Sequence, residues 1–591
     1  MPAYTITPAD PSGHLFSVKL RLDKPLPQQN LWLPAWIPGS YMIRDFARHL
    51  LNMRATLEDG TDIALRQVDK QNWILEQAGN QPLTVSYQVY AWDLSVRSAY
   101  LDQSRAFFNG SSVFLAASSQ EHEPCVLTIL PSPAPVDGQW RVATSMAKQD
   151  VDANGFGTYQ CANYDELIDH PVELSDFAHG HFETEGVRHD IVLSGRHRAD
   201  MARLEKDLAK ICQHHIQFWQ VPAPISHYVF MTAVLGNGGG GLEHRASTAL
   251  MTSRSNLPTA GMTETTAGYR DYLGLCSHEY FHTWNVKRLK PRAFLPYQLE
   301  RESYTELLWW FEGITSYYDD LGVLRAGCMS VEHYLEQLSQ QMTRVIRGPG
   351  RLGQSMAESS FNAWTKFYQQ DENASNAIVS YYTKGALFAL YLDLTIRLRT
   401  DGKQSLDDLV RAVWQRHAQD GVPEQGIPDV AQDVIACDLT DAFELGLYGT
   451  EDLPLDAVLQ QFGVTATWGT PDSLKRAGGQ KSHLKEGQCS LGSTFEAHPM
   501  GARARVVING SAAHKAGIST GDVIIALDHV QTDAARIEEQ VAQYQPGENI
   551  DVHLFRRDEL RHHVVVAEVG APTTCVLSLT DHTAANRWLN L

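Results

Sequence analysis

The 591 residues contain no CxxC pair and no dense cysteine framework; eight cysteines are scattered from Cys125 to Cys575. A chain of this size does not need covalent staples, so the cysteines are expected as reduced thiols in a reducing compartment. No run approaches the roughly eighteen apolar residues of a membrane span, so no membrane is expected as a partner. The amino terminus, Met1-Pro-Ala-Tyr-Thr-Ile-Thr, lacks a basic segment followed by an apolar run, and no signal peptide is expected. A cytoplasmic location fits these absences; a chain already trimmed of a leader would be periplasmic or secreted. Positive charge is scarce, 49 Lys and Arg against 69 Asp and Glu, for a net charge of −20. That balance argues against a nucleic acid or an anionic membrane surface as partner. Internal repeats and low-complexity tracts are also missing.

What is present is ordinary globular composition, 43% apolar and 20% charged. The length exceeds what one core serves, so several domains are expected. The first ~180 residues read as β. Leu83-Thr-Val-Ser-Tyr-Gln-Val-Tyr90 alternates and places Leu83, Val85, Tyr87 and Val89 on one buried face. Phe16 to Leu22 alternates similarly, and Asp59-Gly60 and Ala78-Gly-Asn80 punctuate such runs as turns. The spacing predicts an N-terminal all-β antiparallel sandwich.

Near residue 200 the period changes. Met201, Leu204, Leu208, Ile211, Cys212 and Trp219 recur at helical spacing. A strand-like run, Tyr228 to Leu235, then enters the glycine stretch Gly236-Asn-Gly-Gly-Gly-Gly241. Further helices are expected through His278, around Trp309 to Tyr318, and at 331–347, 384–400 and 405–417, the last with Ser405 and Asp408 as a capping pair. Residues 469–490 are polar and glycine-bearing and read as a linker. Beyond it, Ala504 to Ile508 reads as a strand, Ser511 to Ala516 as a short helix ended by Gly517, and Gly521 to Leu527 as a turn and strand.

The strongest chemical signal is His278-Glu-Tyr-Phe-His282. Residues four apart on a helix share a face, so both imidazoles can reach one ion, with Glu279 displaced towards a water. Zinc takes two histidines and a carboxylate and keeps one position open. The bland alternative is a pair of solvated histidines on an amphipathic helix. A third histidine at the extended spacing is excluded, because positions 285 and 288 are Asn and Arg. Of the downstream glutamates, Glu302 and Glu306 sit among Arg, Ser and Thr and read as surface charges. Glu312 sits in Trp309-Trp-Phe-Glu-Gly-Ile-Thr-Ser-Tyr-Tyr318, where a buried carboxylate without a cation or strong donors would be costly. Glu312 is therefore the expected third ligand of one zinc per chain. Asp319, seven residues on, shares its face and is placed either to orient a ligand histidine or as a solvated helix-end acid.

His278 to Arg288 and Trp310-Phe-Glu-Gly-Ile-Thr315 resemble the metal-binding segments of gluzincin aminopeptidases, the aminopeptidase N family in particular. The resemblance supports Glu312 as a ligand. Gly240-Gly-Leu-Glu-His244 resembles that family's Gly-x-Met-Glu-Asn motif, with Leu and His as departures. It implies that Glu243, beside Gly240 and Gly241, grips the free α-amine of the substrate. Tyr382-Thr-Lys-Gly385 is similar to the segment whose tyrosine stabilises the tetrahedral intermediate, which implies Tyr382, with Tyr381 adjacent. Over nearly the whole chain the likeness is to a sister group, the glycyl aminopeptidases, through Trp36-Ile-Pro-Gly-Ser-Tyr-Met-Ile-Arg-Asp45 and the HExxH…Asn-x-Lys-Arg run.

The resemblance implies a β domain at 1–180, a thermolysin-like, mostly α catalytic domain at 181–470, a PDZ-like α+β domain at 485–572 and a tail at 573–591. It implies an aminopeptidase acting on peptides with a free N-terminus, glycine favoured, with Glu279 as general base and Tyr382 as oxyanion donor. Asn509 to Gly517 and Thr520-Gly-Asp-Val-Ile524 carry the PDZ likeness, which implies either peptide binding by strand addition or an intramolecular contact. Two other classes remain open. An endopeptidase would need no amine anchor, and a catalytically silent peptide-binding protein would have no use for Glu279, Glu312 and Tyr382.

Overall fold

Alternation in the first strands sets the architecture. In the computed structural model, which describes residues 1–76 and 81–589, Leu83–Tyr90 buries Leu83, Val85, Tyr87 and Val89, and Leu15–Leu22 buries Phe16, Val18, Leu20 and Leu22. The turn expected at Ala78-Gly-Asn80 lies outside the described residues. The Asp59-Gly60 turn forms, with Gly60 at φ +87° and the Asp59 carboxylate accepting from the Thr61 amide at 2.9 Å.

The chain folds into two compact units, one of residues 1–303, 318–328 and 417–421, the other of residues 304–317, 329–416 and 422–591. The first unit begins with an eight-stranded sheet, accompanied by two four-stranded sheets. One pairing departs from the antiparallel expectation: Pro2–Asp10 runs parallel to Cys125–Ile129, with Ala3 opposite Val126. Parallel neighbours need a long crossover, and more than a hundred residues of intervening chain supply it. Three buried tyrosine hydroxyls, on Tyr4, Tyr87 and Tyr164, donate to the carbonyls of Leu115, Val113 and Phe114. The segment 113–115 is thus fastened under the sheet by donors that burial would otherwise leave unsatisfied.

A five-stranded mixed sheet follows, in the order Ala178–Thr184, Val187–Ser194, His227–Leu235, Ser247–Ser253, Gly239–His244. Its three central strands are parallel, and His227–Leu235 is buried along nearly its whole length, which explains its unbroken apolar run. The crossover is the expected amphipathic helix, Met201–Phe218, capped by Asp200, whose carboxylate accepts from the Arg203 amide. Helix Ala267–Phe281 is held to the sheet's central strand through Thr232 and Tyr272, whose hydroxyls lie 2.9 Å apart. The glycine stretch becomes the edge strand Gly239–His244, paired antiparallel with Ser247–Ser253.

The second unit is helical in its first part. Val331–Arg347, Thr383–Arg399 and Leu406–His417 match the expected helices within a residue or two, although Arg416 is the last residue of the latter in this unit. Asp408 reaches back to the Ser405 amide at 2.9 Å, but the Ser405 hydroxyl also points to that carboxylate, so the expected capping pair is one-sided. Around Glu312 the helix opens to a wide π turn, Trp309–Ile314, before continuing as Thr315–Arg325. Helix Thr383–Arg399 is buried on all sides, and its Asp393 is satisfied by Arg397, Tyr317 and the Leu406 amide.

Two expectations are corrected here. Residues 573–591 are not a tail: Thr574–Leu579 pairs with Val464–Pro471, and helix His582–Leu589 buries Trp588, whose indole donates to the Tyr317 hydroxyl at 3.0 Å. Nor is 469–490 an open linker. Strand Val464–Pro471 runs into it, and the Ser473 hydroxyl and Leu474 amide are both bound by Glu538. Composition misjudged the linker because specific hydrogen bonds hold it, whereas the C-terminal segment is held by burial of Cys575, Val576, Leu577, Ala585 and Trp588. The unit closes with a β-rich region in which Ser493–His498, Gly501–Val507, Val523–Leu527, Asn549–Arg556 and Glu559–Val566 lie side by side around Phe495, Ile524, Ile537 and Leu554. Among the described residues no helix is long and apolar enough to cross a membrane.

Gly313, next to Glu312, packs backbone to backbone on Gly385: a Cβ at Gly313 would sit 2.7 Å from the Gly385 Cα. Neither backbone can yield cheaply. Gly313→Ala is therefore expected to cost about 1–3 kcal/mol in urea unfolding, whereas Gly236→Ala, where nothing lies within 4 Å, changes stability by less than about 1 kcal/mol.

Candidate active site

Helix Ala267–Phe281 ends at the histidine pair, with His282 as its C-cap. The two Nε2 atoms stand 3.1 Å apart. Each ring is fixed from behind: His278 Nδ1 lies 3.0 Å from an Asp319 carboxylate oxygen, and His282 Nδ1 lies 2.8 Å from the Asn285 carbonyl. Both partners accept hydrogen bonds, so in the neutral rings both Nδ1 atoms carry the proton and both Nε2 lone pairs face inwards. Asp319 thus has the orienting place that its spacing allowed. Its own backbone is tied down by Ser277, whose hydroxyl donates to the Asp319 carbonyl at 2.7 Å, while His215 Nε2 lies 2.7 Å from the same hydroxyl. Burial pushes the Asp319 carboxyl up, opposed by the bond to His278.

The Asn285 carbonyl reaches His282 through an unusual backbone. Val286 adopts φ +99°, a conformation that a β-branched residue enters only when its surroundings dictate it. The turn is held by the Val286 amide donating to the Leu289 carbonyl and the Lys287 amide donating to the His282 carbonyl.

Glu279 and Glu243 converge with His282: one ligand atom from each lies within 4.8 Å of the others, and all three residues are buried. Glycine makes this approach possible. A Cβ at Gly241 would fall 2.1 Å from a Glu279 carboxylate oxygen, and one at Gly39 would fall 2.5 Å from both oxygens of Glu243. Gly241 therefore forms a wall against the acid of the HExxH helix, and Gly240, at φ +131°, has nothing within 4 Å of its Cβ position. Gly39, in the Trp36–Asp45 segment, was not among the sequence-derived site residues, although that segment carried part of the family resemblance.

Behind Glu243 is a second unforeseen residue. Asp169 accepts from Lys287 Nζ at 2.8 Å and from Arg245 Nε at 3.0 Å, and lies 3.0 Å from His244 Nδ1. It joins the end of strand Gly239–His244 to the turn that follows the histidine pair. No motif marks it, because it lies far from all three partners in sequence.

In the second unit Glu312 is buried in the π turn among Trp309, Trp310 and Phe311. Its charge helps raise the Tyr381 hydroxyl above the ordinary tyrosine range, after burial and Tyr368. Tyr381 is fully buried, whereas Tyr382 is partly open, with its hydroxyl 3.2 Å from that of Tyr368 and its ring stacked on Phe367. Exposure thus distinguishes the two adjacent tyrosines. Glu302 and Glu306 are half-buried rather than fully exposed; burial and Glu424 raise the Glu306 carboxyl.

Burial raises the Asp169 carboxyl, but Lys287, His244 and Arg245 together hold it well below the usual carboxylate range. Its folded value is depressed, so its contribution is present above about pH 4 and is lost as pH falls through the folded value. Asp169→Asn strands buried cations and is expected to lower unfolding free energy by about 3–5 kcal/mol near neutral pH. The gap between wild type and variant should narrow only in acid below about pH 4, as read by urea titrations across that range.

The geometry can be set beside known proteins. The family model described as the Peptidase M61 N-terminal domain matches residues 3–176, and that described as M61 glycyl aminopeptidase matches residues 271–388. No curated protein matches the chain. Among solved structures, an aminopeptidase N family protein from Idiomarina loihiensis is 43% identical, covers 100% of both chains and superposes with a TM-score of 0.96. The M1 zinc metallopeptidase from Deinococcus radiodurans is 13% identical over 77% of this chain and 94% of its own, with a TM-score of 0.47. Native yeast LTA4 hydrolase is 14% identical over 78% and 70%, also at 0.47. With 43% identity over its whole length to one aminopeptidase N family protein and both M61 models matched in order, the chain belongs to the M61 glycyl aminopeptidase family.

Proposed function

We propose that the chain is a zinc-dependent aminopeptidase that removes small N-terminal residues, glycine among them, from peptides. The observation that carries the reading is the pair of inward-facing Nε2 atoms at 3.1 Å. Two neutral imidazole lone pairs at that separation repel each other, and a cation between them removes the conflict. The donor set suits zinc, which takes neutral nitrogen and carboxylate ligands. His278 and His282 would hold the ion with Glu312, one ion per chain. Glu312 is supported by its burial and by the likeness of Trp310 to Thr315 to the family's metal-binding segment. Asp319 and the Asn285 carbonyl would keep both ligand rings in the right tautomer.

Bound zinc would polarise the scissile carbonyl and acidify a water. Glu279 would take the proton of the attacking water at its carboxylate and deliver it to the leaving amine nitrogen. The Tyr382 hydroxyl would donate to the oxygen that gains charge. Glu243 would accept from the substrate ammonium, limiting cleavage to the first peptide bond, while the backbone of Gly240 and Gly241 would border the peptide. The preference for glycine rests on the family's description. We propose the domain limits 1–180, 181–470 and 485–572 on the same footing, with the last PDZ-like.

Metal analysis and turnover measured on the same variants test the assignment. His278→Ala and Glu312→Ala are expected to lose zinc, and Glu302→Ala to keep it. Glu279→Gln should keep zinc and lose several orders of magnitude in turnover, because the amide preserves shape but cannot act as a base. Zinc lost only in Glu302→Ala would reassign the third ligand, and normal turnover in zinc-loaded Glu279→Gln would remove Glu279 from the chemistry.

The amine anchor has its own signature. Removing one partner of a buried charge pair costs about 2–5 kcal/mol, so both N-acetylation of a glycyl substrate and Glu243→Ala should depress kcat/KM by that amount. Their combination should cost far less than the sum, since both abolish one interaction. Equal cleavage of blocked and free peptides by the wild type would instead identify an endopeptidase.

A further inference from the structure

A second π turn of the helical part brings another tyrosine to Tyr382. Helix Met356–Phe361 is followed by the turn Ala363–Phe367, which the Tyr368 amide closes by donating to the Ala363 carbonyl at 3.0 Å. Such a turn holds one residue more than an α turn and so redirects the side chain that follows it. Here that side chain is Tyr368, whose hydroxyl stands 3.2 Å from that of Tyr382. Rings brace the contact. Phe367 lies 5.6 Å from Tyr382 at an angle of 27° and 4.9 Å from Tyr381, and it meets Tyr368 edge-on at 5.8 Å. Gln369, next along, donates to the Trp364 carbonyl at 3.2 Å and ties the end of the turn to its start. No motif marks Tyr368, which stands 14 residues before Tyr382.

A phenol hydroxyl has one hydrogen to give and lone pairs to receive with. In a contact between two such groups only one of them donates. As the proposed oxyanion donor, Tyr382 gives its single hydrogen to the substrate oxygen that gains charge. The hydrogen in the 3.2 Å contact must then come from Tyr368. The result is a chain from Tyr368 to Tyr382 to the substrate oxygen. Hydrogen bonds in a chain polarise one another, so this one tightens as negative charge develops at its far end. It is therefore stronger in the transition state than in the ground state, which is the condition for accelerating the chemical step. The reverse sense, Tyr382 donating to Tyr368, would turn the hydrogen away from the substrate. Tyr381, fully buried, is shut off from any substrate.

We propose that Tyr368 is the positioning residue for Tyr382: it donates to the Tyr382 oxygen and thereby aims the Tyr382 hydrogen at the oxyanion. No proton leaves either hydroxyl, and Tyr368 itself does not touch the substrate. The inference rests on Tyr382 being the oxyanion donor, and the test separates the two.

The readout is hydrolysis of glycyl-p-nitroanilide by the full chain, with zinc content measured on each variant. Tyr368→Phe removes one oxygen and keeps the ring. It is expected to lower kcat about three- to ten-fold, the range for one neutral hydrogen bond, with KM within about two-fold of wild type. Tyr382→Phe should lower kcat about a hundred-fold or more. Tyr368→Phe/Tyr382→Phe should then match Tyr382→Phe within about two-fold, because Tyr368 acts only through the hydroxyl already removed. A merely structural role would instead add its own loss in the double variant. Wild-type kcat in Tyr368→Phe beside a collapsed Tyr382→Phe would overturn the inference alone. So would additive losses, a change confined to KM, or a fall in kcat that tracks lost zinc in Tyr368→Phe. Full turnover in Tyr382→Phe would overturn the role of Tyr382 and the inference with it.

Discussion

Two imidazole nitrogens held 3.1 Å apart impose the constraint on which the first unit's site depends. Helical spacing alone brings His278 and His282 to one face, but it does not choose which nitrogen each presents. That choice comes from the Asp319 carboxylate and the Asn285 carbonyl, each of which engages a Nδ1 atom. The supports have supports: Ser277 holds the Asp319 backbone, and His215 reaches the same hydroxyl. Gly322 lets the His215 ring approach, since a Cβ there would lie 2.8 Å from it. A preorganised pair of this kind is unfavourable without a cation and favourable with one, so in the proposed zinc enzyme local folding energy would be converted into metal affinity.

The same reasoning extends to the acids. Glu243 and Glu279 are both buried close to His282, an arrangement that carboxylates tolerate only near positive charge or strong donors. Gly39 and Gly241 press main chain directly against these side chains, where any larger residue would collide with a carboxylate. Asp169 then fixes the strand end that carries Glu243 through Lys287, His244 and Arg245. A residue of the N-terminal β-rich region therefore bears on where Glu243 sits. The N-terminal β domain is part of the site's frame, not only an appendage to it.

Elements with a strong period were legible in the sequence. The alternating strands, the amphipathic helix from Met201, the buried parallel strand after Tyr228 and the HExxH helix all appear close to their expected positions, because burial of one face dictates them. Asp319 was legible because helical spacing carries it. Asp169, Gly39 and Val286 were not, each for a different reason. Asp169 acts through partners distant in sequence, and Gly39 acts by lacking a side chain. Val286 adopts a backbone conformation that its residue type opposes, at a cost on the order of 1–3 kcal/mol. Local propensity cannot foresee strain that the surroundings impose.

The misread linker and tail both bear on how the second unit is assembled. The linker was read from its polarity, as if a segment without an apolar face had nothing to fold against, whereas the tail came with the family resemblance. Yet a polar segment can be ordered by saturating its own backbone. Arg347 binds two carbonyls after Ser473, Glu538 binds the Leu474 amide, and Thr574–Leu579 completes a ladder with Val464–Pro471. Arg347 also donates to Thr574 at 2.8 Å, so one guanidinium joins both misread segments. Burial pushes Arg347 below the ordinary arginine range, and the charge of Glu538 opposes that shift. The acid that binds the Leu474 amide therefore also favours the charged form of the base that holds the segment from the other side.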